Sequence, residues 1–205
     1  MTLPERPADL DGPEPELDLA TVRSAIDDLV DGRYKVEILG GEIIVSPLAR
    51  TLHDRIVSRL EHMIYDAIGD ESYDLSQRVE FVVDEENSPQ PDLAIMDAAL
   101  RENTLDATEY AAKDALLVVE VTSPSNCTDD RKWGRKYKAY AKGRVPLYLL
   151  IDPHAPTGPE ITVFTQPNGL RYIAAATVKF GEPLNLPEPF DAVSIDSSRF
   201  PVPTD

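Results

Sequence analysis

With 205 residues, 42% of them apolar, the chain has room for one domain with tails, or at most two small ones, and for an ordinary buried core. A formal charge of -17 and a pI near 4.5 favour solubility and oppose any general affinity for nucleic acid or anionic membrane. The single Cys127 excludes an internal disulfide and a cysteine zinc site, the start Met1-Thr2-Leu3-Pro4-Glu5 carries no signal pattern, and no apolar run approaches the roughly 18 residues of a membrane span. A soluble cytoplasmic protein is expected.

Residues 1–17 hold four prolines and five acids and are expected to form a flexible acidic arm outside one domain over 18–200, with 201–205 as a tail. Asp18 or Thr21 can cap a short helix through Leu29, with Val22, Ile26, Leu29 and Val30 at helical spacing. Tyr34 to Leu39 and Glu42 to Val45 flank Gly40-Gly41, a strong hairpin signal. From Leu52 to Ile68, the residues Ile56, Leu60, Met63, Ile64 and Ala67 mark one apolar helical face, and Gly69 is the expected stop.

Gln77 to Val83 alternates as a strand, residues 84–89 read as an acidic turn, and Pro91-Asp92 opens the strand Leu93 to Met96. Residues 98–114 suggest a short helix or an irregular crossover. The run Leu116 to Val121, ended by Thr122-Ser123-Pro124, reads as a strand buried on both faces. A helix follows over 130–143, then the apolar strand Leu147 to Ile151. Ile161 to Phe164 and Leu170 to Val178 flank a second turn, Gln166-Pro167-Asn168-Gly169, and Ala192 to Ile195 is expected to add an edge strand.

Chemistry enters at Glu120. An unpaired carboxylate near the end of a buried strand costs several kcal/mol or neutralises itself, so it needs a partner, and a divalent cation is one of the few that suffice. On a helical wheel for 130–144, Trp133, Tyr137, Tyr140 and Ala141 form the buried stripe, while Arg131, Arg135, Lys138 and Lys142 face solvent. Lys136 lies on the edge of the stripe with Lys132 just outside it. Lys136 therefore either snorkels or supplies a partner ammonium. Asp92 after Pro91 is either turn chemistry or a second acid; if its strand neighbours that of Glu120, the two carboxylates can converge on one Mg²⁺ site.

The pattern Pro91-Asp92, Glu120-Val121-Thr122-Ser123-Pro124-Ser125, Asp130, Lys136, Tyr140 and Val145-Pro146 through Asp152 resembles the Uma-two family of restriction endonucleases, within the PD-(D/E)XK nuclease superfamily. Glu37, Gly41-Glu42, Ser46-Pro47 and His53 extend the likeness, which covers about residues 20–200. The resemblance implies an α/β (α+β) fold with a restriction-endonuclease-like αβββαβ core, an amino-terminal helix and hairpin, and a carboxy-terminal hairpin.

It also implies that Asp92 and Glu120, helped by the Val121 carbonyl, hold Mg²⁺ (or Mn²⁺) for phosphodiester hydrolysis of nucleic acid, DNA before RNA. The superfamily usually has a lysine two residues after the acid; Thr122 stands there, and Lys136 is the substitute that can orient or deprotonate water or stabilise the transition state. Glu42, Gln77 and His53 are candidate accessory residues, although the ordinary reading is a solvated Glu42 and a surface His53, and Gln77 is a weaker candidate than Glu42. His62 and His154 share no ligand spacing with His53, and no serine elbow or phosphate loop is present.

Seven of the 20 basic residues fall between Arg131 and Arg144. Lys132, Arg135 and Lys138 are the candidate nucleic-acid contacts; the alternative is a solvated helix face. By analogy with the fold a homodimer is expected. The acidity and Thr122 keep a second function open, a nuclease-fold module that binds without turnover.

Overall fold

The computed structural model describes residues 18–30, 33–47, 51–69, 71–104, 107, 109–124 and 126–203, so the expected acidic arm and the last two residues lie outside the described residues. The helices are α1 (Leu19–Val30), α2 (Thr51–Ile68), α3 (Ala98–Glu102), α4 (Cys127–Asp130) and α5 (Arg135–Lys142). The strands are β1 (Tyr34–Leu39), β2 (Glu42–Pro47), β3 (Tyr73–Ser76), β4 (Glu80–Val82), β5 (Asn87–Ser88), β6 (Leu93–Asp97), β7 (Glu109–Ala111), β8 (Ala115–Val121), β9 (Leu147–Asp152), β10 (Glu160–Pro167), β11 (Tyr172–Lys179), β12 (Leu184–Asn185) and β13 (Ser194–Ile195). None of these helices is long and apolar enough to cross a membrane.

Six strands form the central sheet in the order β11-β10-β9-β8-β6-β3. All neighbours are antiparallel except β8 and β9, which run parallel and are joined by the crossover through α4 and α5. The order α2, β3, β6, β8, α5, β9 is the expected αβββαβ core. Period-two alternation splits its strands between two layers. Leu93, Ile95, Leu117, Val119, Val121, Leu149 and Ile151 face α2 through Ile56, Val57, Leu60 and Ile64. Ala94, Met96, Val118, Tyr148 and Leu150 pack with Tyr137, Tyr140 and Ala141 of α5. Burying such side chains contributes roughly 1.5–3 kcal/mol each, before the entropy of ordering them.

A smaller sheet, β2-β1-β5, stands beside this core. Its hairpin register pairs Leu39 with Glu42, leaving a two-residue turn in which Gly40 and Gly41 have φ of 64° and 77°. Both angles lie where residues with a Cβ are strained, which is why two glycines occupy the turn.

Four expectations need correction. The strand expected over Gln77–Val83 is interrupted where Arg78 takes φ 61°; β3 stays in the main sheet, and β4 leaves it to pair in parallel with β7. The helix expected over 130–143 breaks into α4 and α5, because Trp133 adopts φ 73° between them. Trp133 is consequently half exposed instead of joining the buried stripe. Leu29 is exposed on α1, whose sides contribute no buried residue. Residues near Ala192 add no edge to the main sheet; β13 pairs only with β12 in a two-stranded ribbon.

Candidate active site

Asp92 lies just before β6, where that strand ends against β8. Its own N–H donates to the Val119 carbonyl at 3.0 Å, and its Oδ2 accepts from the Val121 N–H at 2.8 Å. The carboxylate thus takes the place of the next backbone acceptor, satisfying a ladder donor that β6 no longer reaches. Oδ2 also lies 2.8 Å from His53 Nε2 on α2, and Oδ1 is 3.5 Å from Lys35 Nζ on β1. Three elements therefore converge on one carboxylate.

Glu120, one residue before the end of β8, points into the α5 layer and is fully buried. Its Oε2 accepts from Lys136 Nζ at 2.9 Å and its Oε1 from the Tyr140 hydroxyl at 2.5 Å. The partner that a buried glutamate requires is thus supplied by the protein itself. Lys136 and Tyr140 are one helical turn apart on α5, a spacing that aims both at one carboxylate.

Lys136 is only 2% exposed, so its ammonium does not snorkel to solvent. Beyond Glu120 it meets Glu37 Oε1 of β1 at 3.1 Å, and Asp130 Oδ1 of α4 lies at 3.7 Å. Glu37 Oε1 also accepts from the Gln90 N–H at 2.7 Å. Both Asp130 carboxylate oxygens are buried without a hydrogen-bond partner among the described residues.

The electrostatics follow from this packing. Burial pushes the Asp92 carboxyl up, but Lys35, the His53 hydrogen bond and charge, and Lys136 together outweigh it and hold Asp92 well below the usual carboxylate range. Burial raises Glu120 despite Lys136, and nearby Asp92 and Glu37 add to the rise. Asp130 is raised further, again chiefly by burial. Burial acts to lower Lys136, yet Glu120, Glu37, Asp130 and Asp92 more than reverse it and keep it an ammonium. His53 is likewise raised: burial opposes its charge, but the hydrogen bond to Asp92 and that carboxylate's charge prevail.

These residues suit an oxygen-seeking cation. Four carboxyl groups, Glu37, Asp92, Glu120 and Asp130, face two ammonium groups, Lys35 and Lys136, and His53, so acidic oxygens outnumber the basic groups that meet them. A carboxylate has about four lone-pair positions, and Glu120 uses one on each oxygen. Among the described residues no group of three or more His, Cys, Asp and Glu forms a ready-made metal cage. Mg²⁺ does not need one, since it binds through one or two carboxylates and completes its shell with water and phosphate oxygens.

Other sequence candidates lie elsewhere. Val121 meets Asp92 through its N–H. Gln77 donates to Glu61 on the surface of α2, away from this cluster, because the strand expected there is broken. Glu42 is exposed and pairs with Arg135 at 2.8 Å. Arg135 is further held by Asp129, while Lys132 lies over the Trp133 ring and Lys138 is exposed. Thr122 is buried and donates to Asp152 Oδ1 at 2.7 Å.

Sequence reasoning passed over Lys35, Glu37, Asp130 and Tyr140 as site residues. Glu37 had one signal: it shares a strand face with the buried Leu39, so alternation turns it inward. Asp130 and Tyr140 stood in the resembling motif, but only the fold reveals that they flank Lys136.

A crystal structure titled as a "putative nuclease belonging to DUF820" from Anabaena variabilis ATCC 29413 superposes with a TM-score of 0.62 at 15% identity, covering 85% of this chain and 96% of that one, so the two share a fold. A comparison with curated proteins finds no match. The model of the Uma2 family, described as "Putative restriction endonuclease", matches residues 25–198, and with most of its length accounted for in this way the chain belongs to the Uma2 family, on a restriction-endonuclease-like fold.

Proposed function

We propose that the protein is a metal-dependent nuclease that hydrolyses phosphodiester bonds, with DNA the preferred nucleic acid. The observation that carries this reading is that Asp92 and Glu120 stand on neighbouring strands, near enough for the Asp92 charge to act on Glu120, with the Lys136 ammonium on Glu120. Asp92 and Glu120 would hold the cation, Mg²⁺ or Mn²⁺. When bound, it supplies a water of lowered pKa and neutralises charge on the scissile phosphate.

The chain's own groups divide the remaining work. Lys136, kept protonated by the surrounding acids, cannot accept a proton; it can orient a water and offset negative charge developing on the phosphate. His53 and Lys35 keep Asp92 ionised and fixed, and Tyr140 sets the direction of Glu120. A DNA substrate accords with the description of the family.

The test is nicking of supercoiled DNA with Mg²⁺ or Mn²⁺. The unaltered chain should nick, and the isosteric Asp92→Asn and Glu120→Gln variants should lose at least about a hundredfold in rate while melting as folded proteins. Turnover retained in either variant would sink the two-carboxylate assignment. A second reading, a module that binds without turnover, is favoured by one feature: Thr122, in the usual lysine position, is engaged with Asp152 instead of the site. Stabilisation by Mn²⁺ without nicking would select it.

A further inference from the structure

Asp130 has no use in the mechanism above, yet it is fully buried and, among the described residues, neither of its carboxylate oxygens has a hydrogen-bond partner. Buried polar groups are nearly always paired, and an orphan carboxylate is among the costliest exceptions. Its nearest cation is Lys136 Nζ, at 3.7 Å from Oδ1, less than an ångström beyond hydrogen-bond length. Lys136 is meanwhile engaged by Glu120 at 2.9 Å and Glu37 at 3.1 Å.

We propose that Asp130 is a positioning residue: it receives the Lys136 ammonium when a divalent cation takes the ammonium's place at Glu120. The inference rests on the cation reading above and adds where the displaced charge goes. Glu120 cannot keep both positive charges at full strength, because a cation and an ammonium on one carboxylate repel each other. The lysine stem is flexible and its three donors rotate. A short swing brings Nζ from 3.7 Å to hydrogen-bond distance of Asp130.

The frame for this swing is rigid. Tyr148 donates its hydroxyl to the Asp130 carbonyl at 2.5 Å, and the Asp130 N–H bonds to the Asn126 carbonyl, so the acceptor stays in place while the side chain of Lys136 moves. The remaining groups near the cluster are Lys35, which lies 3.5 Å from Asp92 and 3.7 Å from Glu37, His53 on Asp92, and Tyr140 on Glu120. Among the described residues of the cluster, Asp130 is thus the acceptor with both oxygens open.

Two measurements on the full chain test this. In a crystal structure with Mn²⁺ bound, Lys136 Nζ should lie within hydrogen-bond distance of Asp130 and have left Glu120; an ammonium still on Glu120 overturns the proposal. In solution, Mn²⁺ affinity is measured by calorimetry for the unaltered chain, Asp130→Asn, Lys136→Met and the double variant. Asp130→Asn should weaken Mn²⁺ roughly tenfold in the presence of Lys136 and hardly at all in its absence, the signature of two residues acting as one unit. An equal loss in both backgrounds makes Asp130 a direct ligand, and no loss makes it idle; either result overturns the proposal. If Asp130→Asn does not fold, Asp130→Ser takes its place in the cycle. Mn²⁺ binding that needs Glu120 and ignores Asp130 sinks this inference alone, whereas no Mn²⁺ binding by the unaltered chain sinks the nuclease reading with it.

Discussion

At the scale of single residues, the site is a buried charge cluster in which one ammonium serves several acids. Removing one partner from such a cluster leaves the others uncompensated, which costs more than the pair contributes when intact. Thr122 illustrates how a neighbouring position has been given to structure. Its hydroxyl, the Arg131 guanidinium and the His154 N–H all converge on Asp152, tying the ends of β8 and β9 to the crossover. A lysine at 122 would have to give up that bond.

His53 provides a pH prediction at the same scale. Its pKa is raised in the folded protein, so the stabilisation it contributes is fully present below the unfolded value near 6.5 and disappears as pH rises through the folded value. His53→Gln should therefore cost about 1.5–3 kcal/mol at pH 5.5, the range for a hydrogen bond to a charged group, and clearly less at pH 9. Urea unfolding at both pH values checks this. A loss that is equal at both would mean that His53 acts through packing alone.

Among elements, the break between α4 and α5 decides the geometry. A continuous helix over 130–143 would hold Asp130 and Lys136 about 120° apart around its axis and more than a turn apart along it. The turn at Trp133 and Gly134 reverses the chain enough to lay them against each other. Gly134 permits it by close approach: a Cβ there would sit 2.2 Å from the Asp129 carbonyl oxygen, with Thr128 O at 2.4 Å. Gly134→Ala should therefore destabilise the protein by more than about 2 kcal/mol and displace Lys136, since the obstruction is backbone and cannot swing aside. Thermal melting gives the first result and a crystal structure the second; an unchanged melting temperature would refute the tight-turn account.

Viewed as a whole molecule, the protein combines a charge of -17 with a basic stretch that is largely neutralised internally. Arg131 pairs with Asp152, Arg135 with Asp129 and Glu42, Lys142 with Asp84, and Lys136 is buried. Lys132, Lys138 and Arg144 are left as the exposed basic residues of this stretch with no ion pair among the described residues. Should nucleic acid bind here, few phosphates would be neutralised, so the slope of log K against log salt should be shallow, about -2 to -3. Reversing both charges, Lys132→Glu with Lys138→Glu, should weaken binding at least about tenfold and flatten that slope, as read by fluorescence anisotropy. A steep slope would place the contact surface elsewhere.

Local patterning determined most elements of this protein from the sequence alone: the glycine hairpin, the apolar face of α2, the doubly buried β8 and the β9 strand all follow from periodicity and turn chemistry within a few neighbours. The same local logic exposed Glu120 as an acid in need of a partner and Lys136 as a base on the wrong side of its helix. Local rules failed where single residues took left-handed backbone angles, at Arg78 and Trp133, because nothing in their own side chains announces φ above zero. Only the tertiary structure decided which groups meet. Glu37 from the hairpin, Asp92 from β6, Glu120 from β8 and Asp130 and Lys136 from the two crossover helices lie far apart in the chain, and the buried sheet between two layers is what draws their charges into one space that water cannot screen.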